Sequence, residues 1–166
     1  MNYHKIEKYS TANGIGIRCV LWVSGCSLHC KGCHNPSTWD FNSGKPFDEE
    51  AKQELFDALN KPYIQGITFS GGNPLEHHYQ MFLLAKEIKE KFPSKDIWLY
   101  SGYTYEQICQ SREKFKVLNY IDVLVDGPYI EEQRDITLPF CGSQNQRIID
   151  VKESIKQDKI IILQND

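Results

Sequence analysis

Short apolar runs recur along the chain and predict six buried β-strands. Several of these runs are continuous rather than alternating, which is typical of strands covered on both faces in a parallel sheet. They are also rich in the β-branched and aromatic residues that favour strands. The predicted strands cover residues 17–23, 66–70, 97–100, 121–125, 147–151 and 159–163.

Amphipathic helices are predicted between the strands. Residues 48–60 begin with a capping acid, and residues 76–92 carry one apolar stripe. A third helix begins at Thr104, with Gln107 placed to complete a capping box and Cys109 facing the core. The positions that define the first two apolar stripes are Ala51, Leu55 and Leu59, followed by Met81, Leu84, Ala85, Ile88 and Phe92.

The alternation of strands and helices predicts an α/β fold with a mostly parallel sheet and covering helices. The 166 residues are expected to form one domain, with its core over residues 13–151 and an extension over residues 152–166 that could add an edge strand. A complete (β/α)8 barrel typically needs about 250 residues. Any barrel formed by this chain would therefore be incomplete.

The composition excludes several classes of protein. Hydrophobic residues make up 40% of the chain and charged residues 25%, as in folded rather than disordered proteins. The formal net charge is -3 and no basic run is interleaved with aromatic residues, so nucleic-acid binding is not expected. No apolar run reaches the ~18 residues of a membrane span, and the N-terminus has no apolar signal core. A cytoplasmic protein is therefore expected.

Three of the six cysteines form a C-x3-C-x2-C cluster directly after the first predicted strand. These are Cys26, Cys30 and Cys33, and the missing secretory signal favours thiols or metal ligands over disulfides. A structural zinc ion usually has four protein ligands, whereas three cysteines can hold a four-iron cluster whose fourth iron stays open. The count therefore favours an iron–sulfur cluster, at the end of a strand where α/β barrels build active sites.

Two other interpretations of this cluster stay open from the residues alone. The three cysteines could form a buried stripe on one helix face, although Gly25 and Gly32 disfavour a helix there. A zinc site would form if Cys19, His29 or His34 supplied a fourth ligand. Cys19 lies within the first predicted strand and is more simply expected in the core.

At these cysteines the chain resembles the radical S-adenosylmethionine enzymes, whose signature is this loop holding a four-iron four-sulfur cluster. Residues 13–18 and 33–39 are similar to one branch of them, the glycyl-radical-enzyme activases. The match spans residues 1–151, and the activase of pyruvate formate-lyase shares the cysteine loop but is a longer protein. Similarity to the activases that act on anaerobic ribonucleoside-triphosphate reductase lies in residues 70–75, 122–127 and 142–146.

The resemblance implies a fold, two cofactors and a partner. The fold is an incomplete TIM-like barrel of the radical S-adenosylmethionine type, and the cofactors are a 4Fe-4S cluster and S-adenosyl-L-methionine. One electron from the cluster would cleave S-adenosyl-L-methionine to methionine and a 5'-deoxyadenosyl radical. That radical would take hydrogen from a glycine of the partner, the large subunit of anaerobic (class III) ribonucleoside-triphosphate reductase. A flavodoxin or ferredoxin would donate the electron, and the open side of the barrel would receive the partner.

The resemblance also implies the residues that bind these cofactors. Cys26, Cys30 and Cys33 would hold the cluster. Gly71 and Gly72 would contact the methionyl amine, with Gly72 the stronger assignment, although a Gly-Gly-Asn-Pro sequence would serve equally as a plain turn. No catalytic acid, base or nucleophile is assigned, because the cofactors carry the reaction.

The adenine side of the site is less well defined by the resemblance. Gly32, Cys33 and His34 would line it, but Gly32 stands where many of these enzymes have an aromatic residue, so His34 would have to pack on the adenine. The family commonly has an acid at the position of Asn73. An amide keeps an acceptor oxygen but loses the charge, so an ionic contact to the cofactor is not expected there.

Other functions and features remain to be tested. The alternatives in function are an activase of another glycyl radical enzyme, a non-enzymatic iron–sulfur electron carrier and a zinc-binding module. Residues 100–103 and 126–127 end predicted strands, so they would either face the cofactor or form turns and caps. Trp39 is expected beside the cysteine loop, and His77 and His78 are expected in solvent.

Overall fold

Residues 1–164 are described by the computed structural model, in which seven strands form one sheet. The strands are β1 (Asn2–Ser10), β2 (Arg18–Val23), β3 (Lys45–Pro46), β4 (Gly66–Gly71), β5 (Asp96–Tyr100), β6 (Val123–Asp126) and β7 (Arg147–Asp150). Across the sheet the order is β3-β1-β2-β4-β5-β6-β7. The central strands β2, β4, β5 and β6 run parallel, and the remaining pairings are antiparallel. The predicted α/β fold with a mostly parallel sheet is confirmed.

The strand predictions are accurate in the centre of the sheet and fail at the ends of the chain. β1 is not among the predicted strands, because its side chains are mostly polar and half-buried and give no apolar run. The strand predicted over residues 159–163 is wrong. That segment makes one isolated antiparallel bridge, between Ile149 and Ile162, with two backbone hydrogen bonds to β7, and this pairing is too short to form a strand.

Five α-helices connect the strands and cover the sheet. They are α1 (Glu49–Leu59), α2 (His78–Lys91), α3 (Tyr105–Cys109), α4 (Arg112–Leu118) and α5 (Val151–Gln157). The capping box of Thr104 and Gln107 at the start of α3 is confirmed. α5 occupies much of the predicted extension, whose residues 165 and 166 lie outside the described part of the chain. No helix within residues 1–164 is long and apolar enough to cross a membrane.

The main hydrophobic core lies between the helices and one face of the sheet. Cys19 belongs to this core, as expected. The prediction that Cys109 faces the core is wrong, since Cys109 is exposed at the end of α3. α3 has only five residues, and Ile108 takes its buried position, so the next side chain along the helix points away from the sheet.

The opposite face of the sheet is covered by two loops instead of α-helices. One loop precedes β2 (residues 11–17), and the other joins β6 to β7 (residues 127–146). Arg18 is fully buried there and donates to Thr68 Oγ1 and to the carbonyl oxygens of Ile15 and Ile67, each at 2.9 Å. The Thr68 hydroxyl in turn donates to the Asn13 carbonyl at 2.7 Å, which ties the loop before β2 to the sheet. Further along, the ring of Phe140 packs on Trp98. The space between these loops and the carboxyl ends of the strands forms the candidate site.

Asp122, just before β6, is held by two lysines and one amide. Its Oδ2 accepts from Lys89 Nζ at 2.5 Å and from the Ile97 amide at 2.8 Å, and its Oδ1 lies 2.8 Å from Lys152 Nζ. Burial opposes ionisation of this carboxyl, but these donors outweigh burial and lower its pKa. The charged form of Asp122 therefore stabilises the fold.

The substitution Asp122→Asn is expected to lower the free energy of unfolding by roughly 2 kcal/mol at pH 7, the scale of hydrogen bonds to a charged group. Because the folded-state pKa is depressed, this stabilisation is present above the unfolded pKa of about 3.9 and is lost as the pH falls through the folded value. Urea unfolding of both proteins from pH 7 down to pH 3 measures it. A difference that stays constant over this range would contradict the prediction.

Candidate functional site

A cavity of about 270 Å³ opens at the carboxyl ends of the central strands. It lies on the sheet face that the loops cover, and residues in or directly after β2, β4, β5 and β6 contribute to it. Cys26, Cys30 and Cys33 all line it. Gly71, Gly72 and the ends of β5 and β6 form its floor, and Asn13, His34, Tyr129, Gly142 and Gln146 are among the residues of its wall.

The cysteine loop leaves β2 through a short, tightly bonded segment. The Gly25 amide donates to the Thr38 carbonyl at 2.7 Å, and the Cys26 amide donates to the Trp39 carbonyl at 3.1 Å. Gly25 has a φ of +104°, and a Cβ there would overlap the ring of Phe41. A glycine is therefore needed where the chain turns from the strand into the loop.

The three thiols of the loop are half-buried and face the same cavity. Burial raises the pKa of the Cys26 thiol, with smaller contributions from neighbouring groups. The loop contains no helix, so the interpretation of the cysteines as a buried helix stripe is wrong. Within residues 1–164, no three His, Cys, Asp or Glu side chains lie close enough together to hold one metal ion. Because all three cysteines line one cavity, they could hold a cluster in which each thiolate binds a different iron.

None of the additional ligands considered for a zinc site joins a described group of three or more side chains that could hold one metal ion. Cys19 is on the helix-covered face of the sheet, with its Sγ 3.6 Å from the Lys8 carbonyl oxygen. The His29 ring stacks on Trp39, with the ring centroids 4.3 Å apart. His34 packs edge-on against Tyr129 at the cavity wall. Gly32, which the resemblance assigned to the adenine side, has a φ of +77° and is not among the residues that line the cavity.

Gly71 and Gly72 are required by close contact between backbones. Gly71 has a φ of +109°, and a Cβ there would overlap the backbone of Val23 in β2. A Cβ on Gly72 would lie 2.5 Å from the carbonyl oxygen of Gly25, at the base of the cysteine loop. The amide of Gly72 also donates to the Val23 carbonyl at 2.9 Å. The two glycines therefore allow the backbone at the end of β4 to contact β2 and the base of the cysteine loop. They add no side chain to the cavity floor.

Asn73 connects the loop to the end of β5. Its amide donates to the Gly25 carbonyl at 2.9 Å, and its Oδ1 accepts from the Ser101 hydroxyl at 3.1 Å. The side chain is only 1% exposed, and its Nδ2 has no partner among the described residues. The structure therefore places a neutral, buried amide at this position of the cavity.

The far wall of the cavity includes Gly127, Tyr129, Gly142 and Gln146. The sequence marked this region by a turn after a strand and by the family resemblance of residues 122–127 and 142–146. Gln146 Nε2 donates to the Gly127 carbonyl at 3.0 Å, and its Oε1 accepts from the Gly142 amide at 2.8 Å. Asn145 Nδ2 donates to the Pro128 carbonyl at 2.8 Å. These amide side chains hold the two ends of the segment together and fix the wall.

His77 is half-buried, and the expectation that it is solvated is wrong. Its Nε2 lies 2.7 Å from the carbonyl oxygen of Ser24, the residue that follows β2. The Ser24 hydroxyl donates to the Ser43 carbonyl at 2.8 Å. His77 therefore helps to hold the base of the cysteine loop. The short helical turn before α2 (Pro74–His77) brings it back towards the end of β2.

Comparisons with known proteins give one family model and several named relatives. A family model described as a 4Fe-4S single cluster domain matches residues 12–149. An anaerobic ribonucleoside-triphosphate reductase-activating protein of Vibrio cholerae serotype O1 is 41% identical over 152 residues, which cover 89% of this chain and 97% of that protein. Proteins with the same name from Enterobacteria phage T4 and Escherichia coli (strain K12) are 41% and 39% identical over 150 residues, covering 93% and 96% of their lengths and 89% and 88% of this chain.

Proposed function

The chain belongs to the 4Fe-4S single cluster domain family and to the anaerobic ribonucleoside-triphosphate reductase-activating proteins, and we propose that it installs the glycyl radical of such a reductase. One structural observation carries this proposal. The three cysteines of one loop and the glycines that end β4 line the same cavity. An iron–sulfur protein that only carried electrons would be expected to supply four cysteine ligands, whereas three cysteines line this cavity.

In this proposal the cavity holds a 4Fe-4S cluster and S-adenosyl-L-methionine. Cys26, Cys30 and Cys33 are the cluster ligands, which leaves one iron without a protein ligand. When bound, the two groups supply a one-electron cleavage that yields a carbon radical able to take hydrogen from glycine. The protein positions these groups and excludes water, so no side chain of the cavity is given a role as acid, base or nucleophile.

Gly71 and Gly72 line the cavity with backbone atoms alone, since neither residue has a side chain. We assign them to the methionyl part of S-adenosyl-L-methionine. His34 and the backbone of Cys33 line the cavity on the side assigned to adenine. Gly32 contributes to that side only through the shape of the loop, since it does not line the cavity.

We further propose that the sheet is an incomplete TIM-like barrel whose open side receives the reductase. β3 and β7 are the two ends of the strand order, and the parallel strands carry the site at their carboxyl ends, as barrel enzymes do. The substrate glycine belongs to a large protein, so it must enter from outside. The docked partner would exclude water from the radical. The electron donor in this proposal is a flavodoxin or ferredoxin.

The test is anaerobic reconstitution with iron and sulfide, followed by incubation with S-adenosyl-L-methionine and dithionite. We expect a brown protein that forms methionine and 5'-deoxyadenosine. After addition of the anaerobic reductase, electron paramagnetic resonance should detect a glycyl radical. The matched control is a formate-lyase subunit, on which an activase of the reductase should form no such signal. A colourless zinc protein, or a cluster that leaves S-adenosyl-L-methionine intact, would overturn the proposal.

A further inference from the structure

Glu76, in the short helical turn before α2, contacts the cysteine loop with its side chain. Its Oε1 accepts from the Ser27 amide at 3.1 Å and from the Ser27 hydroxyl at 2.7 Å. Ser27 directly follows Cys26, the first cysteine of the cluster. One carboxylate oxygen thus binds both polar groups of the residue that separates Cys26 from the rest of the loop.

The same oxygen also reaches the end of β5. Tyr103 Oη donates to Glu76 Oε1 at 3.3 Å, and the Tyr103 amide donates to Ser101 Oγ at 3.1 Å. The backbone of Glu76 is itself fixed, because its amide donates to the Asn73 carbonyl at 2.9 Å. Glu76 therefore joins the cysteine loop, the turn after β4 and the end of β5 at one point.

This junction lies at an exposed part of the loop. Ser27, Leu28 and His29 are exposed, whereas Ser24 and Gly25 at the base of the loop are buried. A hydrogen bond to a charged group is stronger than one between neutral groups. The carboxylate is thus the stronger kind of acceptor, and it holds an exposed part of the loop.

We propose that Glu76 is a positioning residue, which holds the first half of the cysteine loop against the end of β5 and keeps the reduction potential of the bound cluster low through its negative charge. The second effect rests on the proposed function, since it requires a cluster on Cys26. The physical reason is that a fixed negative charge beside a cluster disfavours the uptake of an electron. The first effect requires only the folded chain.

Two substitutions separate position from charge. Glu76→Gln keeps an acceptor oxygen for Ser27 and Tyr103 but removes the charge, whereas Glu76→Ala removes both. Glu54→Gln is the matched control, because it makes the same chemical change at an exposed position of α1. All three are made in the full chain.

Hydrogen exchange in the cluster-free protein measures the positioning effect. In Glu76→Ala we expect roughly tenfold faster exchange of the Ser27 amide, the scale of one lost hydrogen bond to a charged group. Glu76→Gln should restore most of the protection. Unchanged exchange in Glu76→Ala would overturn the positioning role.

A redox titration of the reconstituted protein, followed by electron paramagnetic resonance without S-adenosyl-L-methionine, measures the effect of charge. Glu76→Gln and Glu76→Ala should both shift the midpoint potential to more positive values, and Glu54→Gln should not. A Glu76→Gln potential equal to that of Glu54→Gln would overturn the charge effect and leave the proposed function intact. A chain that binds no four-iron cluster would overturn the proposed function and the charge effect together, while the exchange rates would still decide the positioning role.

Discussion

Replacement of Cys30 by alanine is expected to abolish cluster binding and all cleavage of S-adenosyl-L-methionine. Cys30 is the middle cysteine of the loop, and its thiol lines the cavity together with those of Cys26 and Cys33. Two thiolates would remain, and three is the number the proposed cluster requires. Iron content and visible absorbance after anaerobic reconstitution should fall to the level of the cluster-free protein, and 5'-deoxyadenosine should fall to background.

Cys109→Ala is the matched control for this loss. Cys109 is exposed at the end of α3, so its removal should change neither the fold nor the iron content. Circular dichroism and unfolding of both cluster-free variants test whether each protein is folded. An equal loss of iron in the two variants would contradict the division of the cysteines into cluster ligands and others. Full activity of Cys30→Ala would contradict the proposed function itself.

The second large effect is expected at Gly71. Gly71→Ala places a Cβ against the backbone of Val23 and forces an alanine into a φ of +109°. Strain of this kind costs about 1–3 kcal/mol, and overpacking against a neighbour adds a similar amount. We therefore expect the free energy of unfolding to fall by about 3 kcal/mol or more. The added Cβ should move the end of β4 away from β2. The base of the cysteine loop should then lose its contacts with β4, and binding of S-adenosyl-L-methionine should be lost as well.

Gly127→Ala is the control that separates the effect of backbone strain from the effect of the contact between Gly71 and Val23. Gly127 also lines the cavity and has a φ of +96°, but a Cβ there would meet nothing closer than Asn145 Nδ2 at 3.5 Å. Its substitution should lower the free energy of unfolding by only about 1–2 kcal/mol, the cost of the left-handed conformation. Urea unfolding and titration calorimetry with S-adenosyl-L-methionine measure both variants. Equal effects in the two would show that strain alone explains the requirement at Gly71.

The candidate ligands could be predicted because they are neighbours along the chain. Cys26, Cys30 and Cys33 lie on one loop, so their spacing limits the arrangements open to them before any tertiary contact forms. The central strands could be predicted because burial on both faces demands continuous apolar runs. β1 gives no such run, because its mostly polar side chains are half-buried beside β2.

The orientation of single side chains depended on tertiary packing, which the local sequence pattern does not predict. Cys109 lies in a helix too short for its periodicity to select a buried face, and Ile108 took the inward position. His77 is the last residue of a short turn that begins at Pro74, and this turn directs its ring to the Ser24 carbonyl instead of to solvent. In both cases the position at which a helix or turn ends decided which way the side chain points.

The amino-acid sequence was sufficient to predict an α/β sheet and a three-cysteine loop after its first parallel strand. The sheet follows from runs of apolar residues, and the loop follows from the spacing of the cysteines. The folded molecule added the contacts between residues far apart in sequence: Gly71 and Gly72 against β2 and the loop, Glu76 on Ser27, and the wall closed by Gln146. These contacts depend on strand order and register across the sheet. Register is set by the packing of the whole chain, so the cavity that the cysteines line became visible only in three dimensions.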